Sequence, residues 1–206
     1  MRLTFVFSVL MSLAQAARAD SPFTGFWGDS RAKPQSGSHD GRMPSIIVPD
    51  AGQATIIIYL HGTTHPQKRE RCGKRYNAPP RSLLKVGKAP NTHIYFLCST
   101  ATDEGSSGSY IYKRVRELDR HLALLKDAGV RPGNIFLAGQ STGGWTSLMA
   151  MQNVGKTFNA AILFAPACRG PRHEIDTYPM WRGTIRPQQV DRMLQAKTMR
   201  ALMFAY

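Results

Sequence analysis

The chain has 206 residues, 42% of them hydrophobic and 19% charged, which suits one packed domain and excludes a disordered or low-complexity segment. Lys and Arg number 27 against 13 Asp and Glu, a formal charge of +14. The 3 cysteines show no Cys-x-x-Cys spacing, so neither a metal nor another cofactor is implied.

In chain order, Arg2 precedes an apolar run from Leu3 to Leu13, and Ala17-Arg18-Ala19 gives a small-x-small pattern before Asp20. The run falls short of the roughly 20 residues a membrane-spanning helix needs. Residues 1–19 therefore read as a secretory signal, and residues 20–206 as one domain, periplasmic or secreted, without a transmembrane segment in the mature chain. Residues 20–53, rich in Gly, Ser and Pro, are expected to be irregular, with Ser45–Val48 as a candidate first sheet strand. Thr55–Leu60 is a continuous β-branched and aromatic run, as in a strand buried on both faces of a parallel sheet. It ends in His61-Gly62-Thr63-Thr64, and residues 65–90 form a long excursion.

Thr92–Leu97 is the next strand. Ile111–Asp127 is an amphipathic helix carrying Val115, Leu118, Leu122 and Leu125, with Gly129 as its cap and Pro132-Gly133 in the following loop. The apolar run Asn134–Ala138 leads into Gly139-Gln140-Ser141-Thr142-Gly143-Gly144, and Trp145–Met151 reads as a helix. Asn159–Ala165 is a further strand, Pro187–Ala196 a helix, and Arg200–Tyr206 a last strand. Alternating strands and helices predict an α/β fold: a doubly wound, mostly parallel sheet with helices on both faces.

A serine on a sharp strand-to-helix turn needs small neighbours, and Gly139 and Gly143 stand two residues either side of Ser141. Strand, then His-Gly, then a Gly-x-Ser-x-Gly turn resembles the α/β-hydrolase family over residues 54–206, and the pattern is similar to that of its serine-esterase, dienelactone-hydrolase and polyhydroxybutyrate-depolymerase relatives. Ser141 stands where dienelactone hydrolases use cysteine, which separates the chain from that reaction. The resemblance implies a serine hydrolase acting on a carboxylic ester or similar acyl bond of a small molecule. Ser141 is then the nucleophile, and the backbone N–H groups of Thr142 and Thr63 hold the oxyanion. It also implies that His61 braces its loop instead of serving as base. In this family the catalytic acid and histidine follow later strands, so both are expected beyond Tyr206 and the chain is expected to be truncated.

Of 6 histidines only His173 follows the serine, and its neighbours Glu174 and Asp176 are too close in sequence to stack behind it as a relay. Tyr178, Met180 and Trp181 are candidates for an acyl pocket or for ordinary packing. Export makes a disulfide available, Cys72–Cys98 being one pairing, and leaves one cysteine over.

Much of the basic excess lies in the excursion, with Lys68, Arg69, Arg71, Lys74, Arg75, Arg81, Lys85 and Lys88 against Glu70 alone. Lys113, Arg114 and Arg116 form a second patch. Such a surface attracts polyanions, and it suits an anionic envelope surface, an anionic substrate or, as the preferred reading, a solvated basic face without a partner. No nucleic-acid-binding pattern accompanies the charge, and no nucleic acid is expected. Two other readings stand beside the hydrolase: an inactive binding protein on the same fold, and a basic polyanion-binding envelope protein.

Overall fold

The computed structural model describes residues 24–28, 35–37, 45–63, 77–99, 101, 107–198 and 200–204. The signal segment, Cys72, Thr64 and the basic residues from Lys68 to Arg75 lie outside the described residues.

Six strands form one sheet in the order β1 (Gly25–Phe26), β5 (Thr92–Leu97), β4 (Thr55–Leu60), β6 (Ile135–Gln140), β7 (Ala160–Phe164) and β8 (Ala201–Phe204). All neighbours pair in parallel except β1, which runs antiparallel to β5 through Gly25–Phe96 and Phe26–Tyr95. The remaining strands, β2 (Gln35–Gly37) and β3 (Ser45–Ile47), pair only with each other. Ser45 is thus on a strand as expected, but that strand belongs to a separate ribbon and not to the main sheet.

Alternation along the strands builds two cores. Ile56, Ile58, Leu60, Tyr95, Leu97, Ile135 and Leu137 face one way, against Leu118, Leu122 and Leu125 of helix α2 (Tyr110–Asp127) and Leu148 and Ala150 of α3 (Thr142–Ala150). Ile57, Tyr59, Ile94, Phe96 and Ala138 face the other way, against Leu83 of α1 (Arg81–Val86). Each fully buried Ile or Leu contributes about 2 kcal/mol relative to exposure, and burial on both faces is why these strands read as unbroken apolar runs. The excursion after β4 therefore contains a helix, which its run of Lys and Arg obscured in the sequence.

Helix α2 stops as Gly129 predicts. Gly129 takes φ +92°, and the Val130 and Gly129 amides donate to the Leu125 and Lys126 carbonyls at 3.0 and 2.9 Å. A π-helical turn at Trp181–Ile185 precedes α4 (Arg186–Leu194), and Pro187 sits in the first turn of that helix. No helix among the described residues is long and apolar enough to cross a membrane. β8 is an edge strand and leaves Leu202, Met203 and Phe204 exposed.

The chain leaves β4 toward β5 on one side and returns through α2 to β6 on the other. The winding direction reverses between β4 and β6, and in open α/β sheets the carboxyl ends of the strands at such a switch point are where ligands bind.

Candidate active site

Both motifs arrive at this switch point. β4 delivers His61-Gly62-Thr63, and β6 delivers Ser141. A side chain on Gly62 would meet Ser141 Cβ at 3.7 Å, so the two loops touch. Ser141 has φ 51° and ψ −118°, a conformation that costs a residue with a side chain of order 1–3 kcal/mol. Its amide donates to Phe164 O at 2.9 Å, and its carbonyl accepts from the Trp145 and Ala167 amides at 3.0 and 3.1 Å. Those three bonds hold the turn from the β7 loop and from α3. The Ser141 hydroxyl, partly exposed, approaches Ala167 O at 3.5 Å. Gly139 is required on packing grounds, since a Cβ there would lie 2.5 Å from the Gly143 carbonyl.

Thr142 opens α3, and its amide stands ahead of the first helical bond, from the Trp145 amide to Ser141 O. An amide at this position points along the helix axis toward the turn, where negative charge is favoured. Thr63, on the facing loop, is half-buried.

His61 is 0% exposed and fully engaged. Nδ1 lies 2.8 Å from Gly62 O, and Nε2 accepts the Ser99 amide at 3.0 Å. Those partners assign the neutral tautomer with the proton on Nδ1. Burial holds its pKa well below 6.5, the Arg114 charge lowers it further, and the Gly62 bond opposes both. A ring with both nitrogens engaged and its charged form disfavoured braces the loop.

Arg114 corrects the sequence reading. Assigned to a basic surface patch, it is 1% exposed. Nη1 donates to Gly62 O at 3.0 Å and to Thr142 Oγ1 at 2.7 Å, while Nη2 donates to His61 O at 2.5 Å. Burial lowers its pKa, and Tyr110, Glu117, Cys168 and Tyr59 act in the opposite direction. Its position was available in the helical spacing: 114 follows Ile111 by three and precedes Leu118 by four, on the buried stripe of α2. Glu117, one turn on, bonds the Ser99 hydroxyl, and Ser99 in turn holds His61. Lys113 and Arg116 are exposed as expected.

The fold is the α/β-hydrolase fold. The strand order, the switch point and a strained serine between strand and helix place it there, with the loop after β4 facing the turn after β6.

Of its two readings, Trp181 takes ordinary packing: it packs with Ile111, Val115, Met149 and Cys168, and its indole N–H donates to Glu174 at 3.1 Å. His173 is buried, with its ring 4.5 Å from that of Tyr178, while Met180 is exposed. Cys98 is disulfide-bonded, and the Cys168 sulfur is buried and approaches Gly108 O at 3.8 Å. No group of three or more metal-ligating side chains occurs among the described residues.

No family model matches the sequence, and no curated protein matches it. Among solved structures, an acetyl xylan esterase from Paenibacillus sp. R4 aligns with a TM-score of 0.47 at 15% identity, over 78% of this chain and 62% of that one. Carboxyl esterase 2 from Tuber melanosporum aligns at 0.45 and 17%, over 92% and 68%. A phospholipase/carboxylesterase from Dyadobacter fermentans DSM 18053 aligns at 0.43 and 12%, over 87% and 89%. The chain thus spans less than two thirds of the Paenibacillus esterase. These are distant likenesses, in backbone arrangement alone.

Proposed function

We propose that this chain carries the nucleophile of an exported serine hydrolase of the α/β-hydrolase family, cleaving a carboxylic ester or similar acyl bond of a small molecule. One observation carries the reading. Ser141 sits at a positive-φ turn at the switch point of the sheet, at the head of α3 and against the His61-Gly62-Thr63 loop.

Ser141 Oγ attacks the substrate carbonyl as its proton passes to a base. The oxyanion that forms is held by the Thr142 and Thr63 amides, each such donor contributing about 3 kcal/mol to the transition state. Collapse expels the alcohol, which takes up the proton. Water then releases the acid and returns the proton to Ser141. His61 is not the base in this scheme, because both its nitrogens are engaged. The triad histidine and acid are placed outside the described residues.

The test is hydrolysis of short-chain p-nitrophenyl esters by the longest naturally expressed form, with Ser141→Ala beside it. The reading predicts turnover that the substitution abolishes. Turnover that survives in Ser141→Ala would overturn it.

A further inference from the structure

Oxyanion donors work by being aimed before the substrate arrives. Thr142 is aimed by the helix it opens, whereas Thr63 lies on a loop and needs something else to fix it. Resting on the serine-hydrolase reading above, we propose that Arg114 is a positioning residue that fixes the oxyanion loop and joins it to the head of α3.

A trans peptide is planar, so the C=O of one residue and the N–H of the next point in opposite directions. The 2.5 Å bond from Arg114 Nη2 to His61 O sets the plane of the His61–Gly62 peptide. Arg114 Nη1 at 3.0 Å and His61 Nδ1 at 2.8 Å both donate to Gly62 O, filling its two lone pairs and setting the plane of the Gly62–Thr63 peptide. The Thr63 N–H is thereby turned away from Arg114. The bond from Nη1 to Thr142 Oγ1 at 2.7 Å ties the same guanidinium to the residue that carries the other oxyanion amide. One planar fork thus spans the carriers of both donors, which a lysine ammonium cannot reproduce.

The cost of this arrangement argues for a purpose. The guanidinium is removed from water, its Nε has no hydrogen-bond partner among the described residues, and its bonds to His61 O, Gly62 O and Thr142 Oγ1 engage two carbonyls and a hydroxyl, all neutral. Packing alone is served as well or better by a hydrophobic side chain of similar volume. Glu117 supports the loop by a second route, through Ser99 to His61 Nε2, so α2 grips it from both sides.

The experiment takes the longest naturally expressed form as the parent chain and compares it with Arg114→Met, which removes the fork, and Arg114→Lys, which keeps the charge. Two-dimensional amide NMR reads Gly62, Thr63 and Thr142, with Thr92, at the amino-terminal end of β5, and Asn159, just before β7, as references. Fluorophosphonate labelling gives the rate of modification at Ser141. Both variants are expected to shift and broaden the three amides and leave the references in place. Labelling should slow about 10–100-fold in Arg114→Met and be restored only in part by Arg114→Lys. Undisturbed Gly62 and Thr63 amides in a folded variant would overturn the proposal, as would shifted amides with an unchanged labelling rate. Failure of both variants to fold would make Arg114 a requirement of the fold and also overturn it. If the parent chain itself is not labelled, the serine-hydrolase reading fails, while the amide spectra still judge the role of Arg114.

Discussion

Gly143, in the first turn of α3, lies so close to β4 that a Cβ on it would stand 2.0 Å from the Leu60 carbonyl oxygen. Helix α3 therefore packs on bare strand backbone, and this contact brings the head of the helix up to the His61-Gly62 loop. Gly143→Ala must move one backbone or the other. It is expected to lower the unfolding free energy by at least about 3 kcal/mol. Gly133→Ala, where a Cβ meets nothing, should stay within about 0.5 kcal/mol. Urea melts of the two variants check this, and equal stability would contradict it.

The strain at Ser141 makes a second expectation. Glycine adopts φ 51° without penalty, so Ser141→Gly should match or exceed the parent in stability, by about 1 kcal/mol, while losing all ester turnover. A gain in stability with loss of function is the signature of a residue held in place for chemistry. A clear drop in stability would show that the turn is not strained as described.

How much of this was legible in the sequence follows from what each residue type announces. Thr55–Leu60 and the stretch around Ser141 stood out because strands buried on both faces and tight glycine turns leave strong local patterns. Helix α1 did not, since its buried contribution rests mainly on Leu83 while Arg81 and Lys85 face solvent. Strand β1 has two residues and is held to β5 partly through a side chain: Thr24 Oγ1 accepts from the Cys98 amide at 3.1 Å and donates to Cys98 O at 3.2 Å. No periodicity exists in two residues. Arg114 was misplaced for a different reason. Charge dominated its reading, although its spacing put it on the buried stripe of α2, and its partners are two carbonyls and the Thr142 hydroxyl, which no side-chain pattern reveals. Trp181 was left open between acyl pocket and packing, because an aromatic beside a loop suits either, and it serves as core.

Protonation of His61 should be visible as acid sensitivity. Its folded-state pKa lies well below 6.5, first from burial and then from the Arg114 charge. Below pH 6.5 the unfolded chain takes up a proton that the folded chain refuses. The stability this group contributes is therefore complete above 6.5 and falls with pH until the folded pKa is reached. The slope is at most about 1.4 kcal/mol per pH unit. His61→Gln removes the titration, so the gap between the parent chain and the variant should narrow between about pH 7 and pH 5. A gap independent of pH would contradict a buried neutral imidazole.

Export is tested on the protein itself. Processing between Ala19 and Asp20 predicts a mature chain whose first residue is Asp20, read by intact-mass and N-terminal peptide analysis of the extracytoplasmic fraction. A chain that keeps Met1 through Ala19 would contradict a cleaved secretory signal.

The central claim is that Ser141 is an activated nucleophile. Its most direct test is fluorophosphonate treatment of the longest naturally expressed form, followed by peptide mass spectrometry, beside Ser141→Ala. The account predicts a single adduct on the peptide containing Gly139-Gln140-Ser141, lost in the variant. An intact, folded chain left unmodified at Ser141 would contradict it.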